Sequence, residues 1–381
     1  MNRREVLKAL GLTGTAVLFG RFGTLDILFS KEKNFSDNNL KNWAWLTTDT
    51  DKSSDDWKRE FALMRKSGIH AVIPEVFNSR SAFYASKHLP VDGEWLEKIL
   101  PLAKAEGLEV HAWIWAMICN IEKIYTEHPE WYIVNGNNQS ILEKPAYAQW
   151  YRFLCPSRPE PLEFIMARIQ ELTQYTELDG IHLDYIRYPE VIIAETLQKK
   201  YNIKQDKEYP EYDYCYCEVC RKSFKERSGL DPLSLRDPSE VAEWKQYRYD
   251  TISNFVNGKI YPLVSKSNKI LSAAVFPPDN CLNVRQQWYT WKIDAFLPML
   301  YNTFYNKDVD WIKEQTVKGI KLLNKSAPLY SGLFIPELDQ ENLTRAIEGS
   351  ITGGANGIVL FAAKSMNKEK WQAFKEAVTP D

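Results

Sequence analysis

Histidine is scarce in this 381-residue chain. There are 5, and they form no cluster of the kind that holds a catalytic metal. A surplus of charge of one sign is also missing. The formal net charge is -2, which argues against nucleic acid or an anionic membrane as the main partner. No tandem repeat and no low-complexity tract interrupts the chain. No Ser-His-Asp order and no phosphate loop can be found. The first apolar run is followed by Thr47-Thr48-Asp49-Thr50 instead of a glycine-rich turn. That argues against a doubly wound dinucleotide fold.

Apolar and aromatic residues are plentiful. Hydrophobic residues make up 44% of the chain and charged residues 26%, a globular balance able to bury a large core. With Trp 13, Tyr 20 and Phe 17, there are rings enough for both a core and a sugar site. Ring faces stack on the apolar C–H faces of pyranoses, so this excess is compatible with carbohydrate binding.

The first thirty residues stand apart. Arg3-Arg4, the pair Val6-Leu7 and Lys8 precede a small-residue and apolar stretch over 9–20. This resembles a twin-arginine export signal and implies a periplasmic or extracellular location at the cell envelope. The stretch is too short and glycine-rich for a membrane span. No clear cleavage site follows, so an uncleaved N-terminal anchor stays open, and no other membrane partner is expected. Residues 31–40 are polar and read as a linker.

From residue 41 onward, apolar strand-like runs alternate with amphipathic helical stretches. Strands are expected at 42–47, 69–76, 108–115, 181–184, 270–276, 293–301, 327–335 and 356–362. Helices or loop-plus-helix segments follow each, among them one long helix over 240–265. Eight such units predict a single (β/α)₈ TIM barrel over 41–381, with a cysteine-containing insertion at about 190–235 after strand four.

A barrel of this type places its chemistry at the C-terminal strand ends. Strand four carries Leu178-Asp179-Gly180-Ile181-His182-Leu183-Asp184-Tyr185-Ile186-Arg187-Tyr188-Pro189. Asp179-Gly180 reads as a helix exit. Asp184 is the first candidate for an ionised catalytic carboxylate, with Arg187 to keep it deprotonated. Glu337, after an apolar strand and Pro336, is the expected acid/base, because burial there would raise its pKa. Glu75, also after a proline, is the second choice. His111, Trp113 and Trp115 share one face of strand three. With Arg187, Tyr188, Tyr301 and Asn302, they are expected to bind substrate. Two carboxylates ringed by aromatics suit cleavage of an O-glycosidic bond and require no cofactor. The alternative is a catalytically inactive sugar-binding barrel. Cys215, Cys217 and Cys220 are close enough in sequence for a structural zinc, with a fourth ligand such as Cys281 or a histidine. Disulfides and free thiols are the rival readings, and Cys119 and Cys155 are expected to be ordinary buried thiols.

The segment from Asp179 to Pro189 resembles the signature of bacterial glycoside-hydrolase-like family 10. Leu154-Cys155-Pro156-Ser157-Arg158-Pro159-Glu160, His111-Ala112-Trp113, His128-Pro129-Glu130-Trp131 and Leu297-Pro298-Met299-Leu300-Tyr301 fit the same family. The resemblance implies a TIM barrel, a carbohydrate substrate and an envelope location. It also implies Asp184 as the catalytic acid. Many relatives have two adjacent aspartates where this chain has Asp184-Tyr185.

Overall fold

Each apolar run becomes a parallel strand. The computed structural model describes residues 40–379, so the expected export signal at 1–30, and nearly all of the linker, lie outside the described residues. The strands are β1 (Asn42–Leu46), β2 (Ile69–Phe77), β3 (Glu109–Trp115), β4 (Gly180–Asp184), β5 (Ile270–Val275), β6 (Ala295–Pro298), β7 (Tyr330–Phe334) and β8 (Gly357–Phe361). They hydrogen-bond in the order β6-β5-β4-β3-β2-β1-β8-β7. Two isolated parallel bridges, Phe296 to Leu329 and Met299 to Gly332, link β6 to β7 and close the ring. This is the (β/α)₈ barrel the pattern predicts.

The helices are α1 (Ser54–Lys66), α2 (Trp95–Ala105), α3 (Glu122–Glu127), α4 (Pro159–Thr173), α5 (Glu195–Tyr201), α6 (Glu218–Ser228), α7 (Ala242–Phe255), α8 (Tyr261–Lys266), α9 (Asp310–Leu323), α10 (Gln340–Thr352) and α11 (Lys368–Val378). Their starts follow local chemistry. Ser53, Asp339 and Asn367 cap α1, α10 and α11 by accepting from Asp56, Asn342 and Lys370 backbone N–H groups. On α1, Trp57, Phe61 and Met64 form the buried face.

Two expectations change. The long helix over 240–265 is α7 and α8 joined through a π-helical turn, Val256–Ile260. The alternation also breaks once. Between β5 and β6 the described chain holds two 3-10 turns, Cys281–Val284 and Trp288–Thr290, and no α-helix. Pro277-Pro278 opens this connection, and the buried Trp288 packs on Phe296 at 5.3 Å between ring centroids.

Inside the barrel, Trp43, Trp45, Ala71, Ile73, Trp113, Leu297 and Tyr330 form a core of their own. Three indoles in one bore need small residues opposite them. A Cβ on Gly332 would meet Pro298 O at 2.8 Å and the Trp45 ring at 3.0 Å. A Cβ on Gly180 would meet His111 Nδ1 at 2.1 Å. Asp179-Gly180 is thus the entry to β4 and not a helix exit. Its glycine gives room to the neighbouring strand's imidazole, and Asp179 binds Lys104 Nζ at 2.8 Å and the Val110 N–H at 2.8 Å.

Candidate functional site

The interior faces of the strands alternate, so residues two apart look into the bore. On β2 these are Ala71, Ile73 and Glu75. On β3 they are His111, Trp113 and Trp115, and on β4 His182 and Asp184. Pairing puts Glu75 beside Trp113, and Trp115 beside Asp184. Glu75, two residues before the end of β2, and Asp184, the last residue of β4, therefore lie on either side of β3. A cavity of about 450 Å³ opens above them, lined by Trp45, Trp113, Trp115, Tyr185, Tyr301, Phe334 and Phe361 among others. Its outer wall comes from two long connections. The β3–α4 segment gives Tyr147, Trp150 and Tyr151, and the β4–β5 segment gives Glu190, Ile193 and Tyr201.

Asp184 is buried. Its Oδ2 accepts from the Trp113 indole at 3.2 Å, and its Oδ1 from the Tyr185 backbone N–H at 2.7 Å. Tyr185 reaches this position with φ of 52°, a left-handed conformation that side chains other than glycine adopt at a cost. Burial pushes the Asp184 carboxyl up from 3.8 to about 6, against the Tyr185 amide, Arg187 and Trp113. Arg187 acts on Asp184 in the expected direction, but it does not bring the carboxyl down to its ordinary value. The guanidinium favours the charged form, but desolvation outweighs it. Arg187 spends its donors elsewhere. It pairs with Glu190 at 3.3 Å and donates to Tyr151 Oη at 3.1 Å and Tyr188 O at 2.9 Å.

Glu75 shares the cavity. Burial raises its carboxyl from 4.5 to about 7. The Trp115 indole and Thr48 oppose that rise, and the charge of Asp184 adds to it. Thr48 Oγ1 sits 3.4 Å from Glu75 Oε2 and 2.7 Å from its backbone oxygen.

Four expected site residues lie elsewhere. Glu337 is exposed in a 3-10 turn, Ile335–Glu337, and does not line the cavity. On β7 the inward residues are Tyr330, Gly332 and Phe334, and the chain turns away before Glu337. His111 is fully buried below the cavity. Its ring lies 4.2 Å from that of Trp43, and its Nε2 is 3.2 Å from Glu109 Oε2. Asn302 is a turn residue, with Nδ2 donating to Lys307 O at 2.9 Å. Tyr188 is buried within electrostatic reach of Cys155, Cys215 and Cys220 and does not reach the cavity. Trp113, Trp115, Arg187 and Tyr301 do line it. The sequence reading also missed Trp45, Tyr151 and Glu190. Trp45 could have been found by its alternation with Trp43. Tyr151 and Glu190 lie in irregular segments that carry no periodic signal.

The cysteines group differently from expectation as well. Cys155, not Cys281, joins Cys215, Cys217 and Cys220, and the four sulfurs lie within 4.8 Å of one another. Cys281 stands apart, with its thiol 3.3 Å from Pro278 O.

The model of the family described as glycosyl hydrolase-like 10 matches residues 39–324. The chain belongs to that family. A further relative is the glycosyl hydrolase YngK of Bacillus subtilis (strain 168), 25% identical over 158 residues. That match takes in 35% of this chain and only 28% of the relative's length. Among solved structures, the catalytic domain of a β-amylase from Paenibacillus polymyxa superposes with a TM-score of 0.63 at 11% identity, covering 89% of this chain and 98% of that one. A β-galactosidase from the haloarchaeon Halorubrum lacusprofundi also gives 0.63 at 12% identity, covering 89% and 57%. At these identities the likeness is one of fold. Glycosyl hydrolase-like 10 membership and the barrel thus agree with the architecture read from the strands.

Proposed function

We propose that the protein is an exported glycoside hydrolase that cleaves O-glycosidic bonds of a polysaccharide or cell-wall glycan. The observation that carries this reading is a pair of carboxylates, the buried Asp184 and the half-buried Glu75, facing one aromatic cavity. Two carboxyl groups with a water or sugar carbon between them are what glycoside cleavage requires. The directions of the two shifts support a division of roles. Burial raises both carboxyls, and the charge of Asp184 raises Glu75 further. Once charged, Asp184 can stabilise or attack the oxocarbenium-like carbon, or activate a water. Glu75 keeps its proton for the leaving oxygen. Trp45, Trp115 and Tyr301 supply faces for the sugar rings. Family membership supports the reaction class, and the basic, then apolar, first thirty residues support export.

The test is digestion of a panel of purified glycans, with products identified by mass. The wild-type chain should release oligosaccharides from at least one glycan. Asp184→Asn should lower kcat by about 10³-fold or more while glycan binding persists. Full activity in that variant would overturn the assignment of Asp184. Tight binding of a glycan that the wild type never cleaves would favour a sugar-binding barrel instead.

A further inference from the structure

We infer that Cys155, Cys215, Cys217 and Cys220 form a closed structural zinc site that clamps the two long connections walling the cavity. The distances carry this. Cys155 Sγ lies 3.6 Å from Cys217 Sγ, 3.6 Å from Cys220 Sγ and 3.9 Å from Cys215 Sγ. Four thiolates at about 2.3 Å from one zinc ion would stand about 3.8 Å apart at the corners of a tetrahedron. A disulfide needs two sulfurs at about 2.05 Å, and a pairing pattern would leave each cysteine close to one partner. Here every sulfur has three neighbours. All four residues are buried, which fits a closed metal site and not a catalytic one with an open position.

The surroundings favour thiolates. Cys217 is the N-cap of α6, and Cys220 lies in the helix's first turn, where unpaired N–H groups and the helix dipole attract negative charge. The Val134 backbone N–H points at Cys215 Sγ from 3.5 Å. Two further donors near the cluster are unspent. Tyr188 Oη and Arg158 Nε are buried without a hydrogen-bond partner. Both groups lie within electrostatic reach of these sulfurs, and Arg158 would offset the charge of a four-thiolate zinc.

The site joins segments that are distant in sequence. Cys155 ends the β3–α4 excursion, which carries Trp150 and Tyr151. The other three lie in the β4–β5 connection, which carries Glu190 and Tyr201. The metal would hold the outer wall of the cavity in place and take no part in bond cleavage.

The full chain, prepared under reducing and chelator-free conditions, is the sample for the test. Elemental analysis should find about one zinc per chain, and a mercurial should release the metal as it caps the cluster's thiolates. Cys155→Ser should lose the zinc at least tenfold, whereas Cys281→Ser should keep it. Should Cys155→Ser fail to fold, the wild-type metal content decides alone. Zinc-loaded wild type that retains no metal would overturn the inference. So would stoichiometric iron, or an intact mass showing the cysteines joined as disulfides.

Discussion

At the lower end of the bore, His182 is held between Trp45, which donates its indole N–H to Nε2 at 3.0 Å, and Ser272, whose Oγ lies 2.9 Å from Nδ1. One step higher on the same strand, Asp184 accepts from one indole and one amide. Both residues are buried on the inner face of β4. An indole can only donate, so Nε2 is the acceptor and Nδ1 carries the proton to Ser272. The neutral imidazole is thereby fully satisfied, and burial drives its basicity well down. At the upper end the donors meet only part of the carboxylates' needs, and burial lifts Asp184 to about 6 and Glu75 to about 7. The difference teaches that depth alone does not make a working acid. What matters is whether the partners complete the neutral form or leave the proton free to move.

Breaking the upper end should have the largest effect. Glu75→Gln should lower kcat by about 10²- to 10⁴-fold on a glycan, and far less on an aryl glycoside whose leaving group departs without protonation. Wild-type kcat/KM should be bell-shaped, with limbs near 6 from Asp184 and near 7 from Glu75. The substitution should erase the upper limb; a surviving limb would assign that proton to another group. The same variant has a stability signature. Glu75 holds its proton more tightly folded than unfolded, so ionising it costs stability. That cost is absent below the ordinary value of 4.5 and complete above about 7. In urea titrations, Glu75→Gln should exceed wild type by on the order of 1–3 kcal/mol near pH 8 and match it near pH 4.

Breaking the lower end should touch stability first and reach the cavity only through Trp45, whose ring lines it. His182→Leu strands the Trp45 N–H and should cost about 1–3 kcal/mol in urea unfolding. The limbs of the pH profile should stay where they are. A moved limb would mean that the two ends of the bore are not independent. The smallest effect belongs to Glu337→Gln, outside the bore. Its side chain is exposed. Stability should change by less than about 0.5 kcal/mol and activity by less than about twofold.

The fold was legible because eight parallel strands buried on both faces must read as apolar runs, and their alternation with amphipathic helices is local information. The missing helix after β5 was hidden because Trp288 and its neighbours are apolar whether they sit on a helix or on 3-10 turns. Asp184 was legible from its place at a strand end. Its partner was not, because Pro74-Glu75 and Pro336-Glu337 look alike in sequence. Alternation separates them: Glu75 shares the inner face with Ala71 and Ile73, whereas β7 ends before Glu337. Cys155 escaped because nothing in its local sequence places it beside a cluster some sixty residues away. Glu190 escaped for the same reason, since its link to Tyr151 spans two irregular segments.

The closing of the barrel between β6 and β7 has a consequence for what can enter. Every other neighbouring pair shares a continuous ladder of at least two registered residue pairs, while this seam rests on two isolated bridges and on the Phe296 and Leu300 amides. Met299 and Tyr301 follow one side of the seam and Phe334 ends the other, and all three line the cavity. The ring is therefore sewn most loosely where it borders the cavity. Breathing at this joint would widen the mouth toward bulky or branched chains without disturbing the Asp184 and Glu75 side of the bore, and amide exchange at Phe296 and Leu300 should be faster than in β2 or β3.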